Sequence, residues 1–153
     1  MGTSEGQSPS IEIYGHVDSF SEADCDRLKD RTTKALPQIF DAPGPGNCDL
    51  PSLETVEISV VSDEVISAVH GEFLNDPTPT DVITFPHGEI LISYDTASRS
   101  AKEHEHGVID ELFLYVLHGL LHLNGHLDDD EPQREAMHQI QNRIWNEVSS
   151  ETE

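Results

Sequence analysis

The segment Gly107–Asn124 constrains this chain more than any other. Val108, Ile109, Leu112, Phe113, Val116, Leu117, Leu120, Leu121 and Leu123 cover nearly the whole circumference of a helix. A helix that is apolar all round belongs in the middle of a domain. Two imidazoles, His118 and His122, interrupt that hydrocarbon surface. Four residues apart, they project from one helical face about one turn from each other. Buried without partners, each would cost roughly 1–3 kcal/mol, and a shared cation removes that cost. Asn124-Gly125 follows, and glycine is the usual residue at a left-handed helix C-cap, so the chain can reverse there. Asp128 stands three residues later, placed to bring a carboxylate back toward the two rings. The string HxxxHxxGxxD thus offers two imidazoles and one carboxylate, leaving a fourth position open for water as in catalytic zinc sites. One zinc-type divalent ion held by His118, His122 and Asp128 is the expectation. His126 is the second choice for third ligand, because it follows the glycine too closely to return easily. Asp129 and Asp130 read as carboxylates at the positive start of the final helix.

The position after the first histidine bears on the reaction class. Zinc peptidases with HExxH carry a glutamate there as general base, whereas this chain has Gly119. A bound ion can still lower the pKa of its water toward ~7 and polarise an ester oxygen, so metal-assisted hydrolysis remains the expected chemistry. Glu111 shares a helical stripe with Tyr115, His118 and His122, but it lies two turns before His118, roughly 10 Å along the axis. It is expected to anchor a neighbouring loop rather than act as base. Asp81 or Glu89 can approach from the strands, and the catalytic base stays unassigned. His16, His70, His87 and His138 receive no site, although His87 can border the cleft. His104 and His106 flank glutamates in a polar stretch and read as solvated.

The rest of the pattern builds an α+β domain around that helix. Ile11, Ile13 and Tyr14 suggest a strand, and a helix is expected from about Ser21 to Phe40, capped by Asp18 or Ser19 and ended near Pro37. Ala42–Pro51 reads as a loop. Thr55–Val61 alternates and is β-branched. Val65, Ile66, Val69 and Phe73 recur at helical spacing until Asp76-Pro77-Thr78-Pro79 breaks them. Short strands follow at Asp81–Phe85 and Glu89–Tyr94, and a last helix at Glu131–Val148 with Pro132 in its first turn. The order β-α-β-α-β-β-α-α predicts one domain, residues 10–149. It would have a small mixed sheet covered by helices and a zincin-like metal-binding helix in the core. Residues 1–9 and 150–153 are expected to be tails.

Charge narrows the partners. Thirty acidic residues against eight basic ones give a net charge of −22, which weighs against nonspecific binding of nucleic acid. A metal brings its own positive charge, so local contacts to RNA remain open. No apolar run reaches membrane-span length and residues 1–10 lack a secretory pattern. The expectation is a cytoplasmic protein in which Cys25 and Cys48 are reduced thiols.

Three motifs resemble a known family. His118-Gly119-Leu120-Leu121-His122-Leu123-Asn124-Gly125-His126 is similar to HGxLHLxGY of the YbeY family, bacterial metal-dependent endoribonucleases and rRNA maturation factors. Thr80-Asp81-Val82-Ile83-Thr84-Phe85-Pro86 resembles that family's TDVLSFP, and Gly88-Glu89-Ile90-Leu91-Ile92-Ser93 its GDIxIS. The similarity runs from about Ser52 to Val148. It implies a mixed sheet against helices and a zinc-type ion on three side chains. It also implies a single-strand endoribonuclease acting on the 3′ end of 16S rRNA and in ribosome quality control, with the small ribosomal subunit as partner. Two departures stand out. Most members have His where this chain has Asp128, and many carry an Arg, thought to meet RNA phosphate, where this chain has Leu74. A ribosome-assembly factor with a structural metal, docking on basic ribosomal proteins, is the alternative; a zinc peptidase is disfavoured by Gly119. Oligomeric state is not legible.

Overall fold

The computed structural model describes residues 8–74 and 80–151. The expected tail up to residue 7, the break at 76–79 and the side chains of Phe73 and Leu74 lie outside the described residues.

The chain runs β1 (Ser10–Gly15), α1 (Glu22–Phe40), a single 3-10 turn (Leu50–Ser52), β2 (Thr55–Val61), α2 (Asp63–Leu74), β3 (Val82–Phe85), β4 (Glu89–Ser93), α3 (Tyr94–His104), α4 (Val108–Leu123) and α5 (Glu131–Glu151). The strands form a mixed sheet in the order β1-β2-β4-β3. β1–β2 and β2–β4 are parallel, and β3–β4 is an antiparallel hairpin in which Ile83 pairs with Leu91. Alternation along a strand sends neighbouring side chains to opposite faces. Ile90 and Ile92 accordingly enter the main core with α1, α3, α4 and α5, while Leu91, Ile83 and Val61 pack under Ile66 of α2. The α+β domain expected from the pattern is the fold observed.

The apolar helix is central. Leu112, Phe113, Val116, Leu117, Leu120 and Leu121 are fully buried, each such side chain contributing roughly 1.5–3 kcal/mol. α4 touches α1, α3, α5, β3 and β4, so its functional groups rest on the most constrained element of the molecule.

The element boundaries differ from the sequence expectation in four places. Ser21, not Asp18 or Ser19, caps α1, exchanging hydrogen bonds with Asp24 in a reciprocal capping box. Pro37 sits inside the last turn of α1, and the helix continues to Phe40 because its buried Leu36 and Ile39 hold it against the core. α5 runs to Glu151 instead of stopping at Val148, so the expected C-terminal tail is helical at least to there. The strand expected to reach Tyr94 ends at Ser93, whose hydroxyl accepts from the Thr96 amide and starts α3, a helix not foreseen. Its buried residues are Ala97 and Ala101, too small a stripe to register against a polar background.

Candidate metal centre

His118 and His122 leave the last two turns of α4 side by side, their Nε2 atoms 3.1 Å apart and their rings nearly perpendicular. Each ring is oriented from behind. His118 Nδ1 lies 3.0 Å from Gln141 Oε1 of α5, and His122 Nδ1 lies 3.0 Å from the carbonyl oxygen of His126. An acceptor behind each Nδ1 favours the tautomer that keeps the proton there and turns the Nε2 lone pair toward the neighbouring ring. Burial and the adjacent His122 hold the His118 imidazole below its ordinary pKa, against the raising influence of Gln141, Asp81 and Asp128. A neutral ring is the form that ligates a metal.

The third group arrives as the turn geometry requires. Gly125 has φ +95°, and a Cβ there would lie 2.8 Å from Cys48 Sγ, so both the left-handed turn and its close packing favour glycine. The Ala42–Pro51 loop braces this turn. Gly44 and Gly46 amides donate to Asn124 and Gly125 carbonyls, and the Asp49 amide donates to Leu123. Reversed in this way, the chain brings Asp128 Oδ2 to 3.3 Å from His122 Nε2. His118, His122 and Asp128 each offer one ligand atom, all within 4.8 Å of one another. His126 is excluded from this cluster: it is buried and its Nε2 sits 2.6 Å from the Ala42 carbonyl. Asp130 receives the Gln133 amide and the Asp129 amide donates back to Gln133, so these residues start α5 and do not join the ligands.

Gly119 turns toward the sheet. A Cβ there would meet Thr84 Oγ1 at 2.9 Å and Ile90 Cδ1 at 3.0 Å. The bare Cα lets α4 lie close on the β3–β4 hairpin, which is why no longer side chain occupies the place a peptidase gives to its glutamate.

The three groups open on a groove of about 780 Å³ lined by Thr80, Asp81, Thr84, Phe85 and Pro86. A second groove of about 570 Å³ starts at the same His118 and Asp81 and continues past Arg99, Tyr115 and His138. Of the two strand carboxylates considered from sequence, Asp81 lines both grooves, whereas Glu89 faces His87 at the hairpin tip, 3.1 Å away. His87 stacks on Phe85. Sequence reasoning missed Arg99 and His138. Arg99 is carried by the unforeseen α3 and binds Asp63 at 2.9 Å while its side chain stays 62% exposed; the ring of His138 lies 6.5 Å from that of His118. His104 and His106 are not freely solvated either: both ring nitrogens reach Glu111 Oε1, at 3.4 and 2.7 Å. Glu111 therefore anchors the turn before α4.

A small mixed sheet carrying a buried helix, with two imidazoles and a returning carboxylate at the mouth of a cleft, defines a compact α+β class of candidate metal-site proteins. The chain belongs to the family described as Endoribonuclease YbeY, which it matches over residues 20–149. It is 32% identical over 147 residues to the Endoribonuclease YbeY of Rhodopirellula baltica, a match spanning 86% of this chain and 74% of that one. A shorter match to the Nautilia profundicola Endoribonuclease YbeY is 42% identical over 79 residues, 46% of this chain and 57% of that relative. The solution structure of TM1509 from Thermotoga maritima superimposes with a TM-score of 0.62 at 25% identity, covering 92% of this chain and 90% of that one. No helix among the described residues is long and apolar enough to cross a membrane.

Proposed function

We propose that this chain is a metal-dependent endoribonuclease cutting single-stranded rRNA, acting at the 3′ end of 16S rRNA during maturation and quality control of the small subunit. One zinc-type ion held by His118, His122 and Asp128 would serve it. The observation that carries the reading is the pair of Nε2 atoms 3.1 Å apart, each ring backed at its Nδ1 by an acceptor, with Asp128 alongside. Two imidazole nitrogens and a carboxylate oxygen this close together suit a shared cation. Two ligands ~2.0–2.1 Å from one tetrahedral ion stand ~3.3 Å apart, so the donors fit zinc with little movement. Membership in a family of endoribonucleases supports RNA as substrate.

When bound, the ion supplies an acidified water and charge stabilisation at the phosphodiester. The remaining tasks fall to the chain. Gln141 and the His126 carbonyl keep the rings aimed. Asp81, which lines both grooves together with His118, is the carboxylate we assign to accept a proton. Arg99 offers the adjoining groove an exposed guanidinium in place of the arginine absent at Leu74. A zinc peptidase finds no support, since position 119 has no room for a glutamate.

The test is cleavage of an RNA carrying the precursor 3′ end of the small-subunit rRNA. Zinc-loaded protein should cut it, chelator should stop the cutting and zinc restore it. His118→Ala and His122→Ala should each lower the rate by at least ~10²-fold. Variants that cut as fast as the parent would assign the activity to a contaminating nuclease. The charge of −22 favours a second reading, an assembly factor that docks on basic ribosomal proteins. Co-sedimentation with small subunits without turnover by zinc-loaded protein would select it.

A further inference from the structure

We infer that His104, His106 and Glu111 form a second site for a divalent transition ion of the zinc type, at the far end of the cleft from the first. The three offer one ligand atom each, all within 4.8 Å of one another. His104 Nδ1 and His106 Nε2 converge on the same carboxylate oxygen of Glu111, at 3.4 and 2.7 Å. A tetrahedral ion with imidazole and carboxylate ligands needs donors ~3.3 Å apart, and these distances bracket that value.

Three features favour an ion over a plain hydrogen-bonded cluster. Glu111 is only 3% exposed; apart from a hydrogen bond with Tyr115, its side-chain partners among the described residues are imidazoles. A buried carboxylate is normally matched by a full positive charge or a metal. The two rings are brought together by Glu105, a non-glycine residue at φ 58° and ψ 42°, a conformation that costs of order 1 kcal/mol and persists where surrounding contacts enforce it. The donor set is again two imidazoles and one carboxylate, which leaves a position facing the groove that His104 and Glu111 line. Glu111 precedes His118 by seven residues, ~10 Å along α4. That exceeds the 3.5–4 Å of a co-catalytic pair, so the two sites load separately and this one stands whether or not the first does.

Trp145, the sole tryptophan, provides a local reporter, its ring 5.5 Å from that of His106. Elemental analysis after zinc loading should give two equivalents for the parent, one for His122→Ala, one for His104→Ala and none for the double variant. Glu111→Gln should repeat the His104→Ala result. In the His122→Ala background, Co2+ should quench Trp145 fluorescence, and adding His104→Ala should abolish the quenching. His104 has a 57% exposed side chain, so its truncation leaves the core intact, which far-UV circular dichroism checks. The inference is overturned if His104→Ala and Glu111→Gln keep the parent's zinc content, or if His122→Ala alone empties the protein. A parent that binds one equivalent, lost in His104→Ala and kept in His122→Ala, would uphold this site and remove the first.

Discussion

At the scale of single residues, the candidate centre depends on groups outside its three donors. Gln141, from α5, braces the ring of His118 through one contact at its Nδ1. Partners of this kind are typically worth 10–100-fold in metal affinity. Gln141→Ala should therefore weaken the His122-dependent zinc by about that factor in competition with a chelator, while the melting curve of the metal-free protein stays close to the parent's. An unchanged affinity would show that packing alone aims the ring. The convergence of His118, His122 and Asp128 could be read from sequence because spacing, glycine and carboxylate each have a local meaning. His126 and the pair His104 and His106 could not be placed. Their partners, the Ala42 carbonyl and Glu111, become neighbours only when the loop and the turn fold back on α4.

At the scale of elements, α4 works because it is seated closely at one end and tied down at the other. Gly119 seats it on the hairpin. Gly119→Ala would press a methyl against Thr84 and Ile90 and should cost about 1–3 kcal/mol in urea unfolding, with weaker zinc binding as α4 lifts. A neutral result in both would mean the sheet yields easily. The N-terminal end is tied by Asp110, which accepts from Arg31 of α1 at 2.7 Å and from the Gly107 amide at 2.9 Å, while its carbonyl accepts from Trp145 of α5 at 2.8 Å. Burial opposes ionisation of Asp110, but the Arg31 and Gly107 hydrogen bonds and the Arg31 charge outweigh it and hold the carboxyl below the usual range. A folded pKa below the unfolded value of about 3.9 gives stability that is present above that pH and lost as pH falls through the folded pKa. Asp110→Asn should cost about 1–2 kcal/mol at pH 7, and the cost should shrink as pH falls below about 3.9. An equal cost above and below that pH would remove the ion pair as its cause. Of the elements themselves, α4 was plain in the sequence because it is apolar nearly all round, and β2 because its residues alternate. α3 was hidden because two alanines make its buried stripe, and with it went Arg99.

At the scale of the whole molecule, an acidic surface and a nucleic-acid substrate pull against each other. Eight basic side chains against thirty acidic ones leave little for long-range capture of RNA, so the proposed substrate would have to be held locally, with a bound cation offsetting the carboxylates of the cleft. The position of α4 carries His118 to both grooves and His122 to one of them, while its other faces are sealed by α1, α5 and the sheet. The fold could be inferred from the sequence because one fully apolar helix in a short chain leaves few ways to cover it. The joining of the two grooves at His118 could not, since it depends on how α3 and the β3–β4 hairpin flank that helix. The most direct measurement is anomalous diffraction at the zinc edge from zinc-saturated crystals of the chain. The expected result is a peak within bonding distance of His118 Nε2, His122 Nε2 and an Asp128 carboxylate oxygen. Saturated crystals with no peak there, or with those three side chains pointing apart, would contradict it.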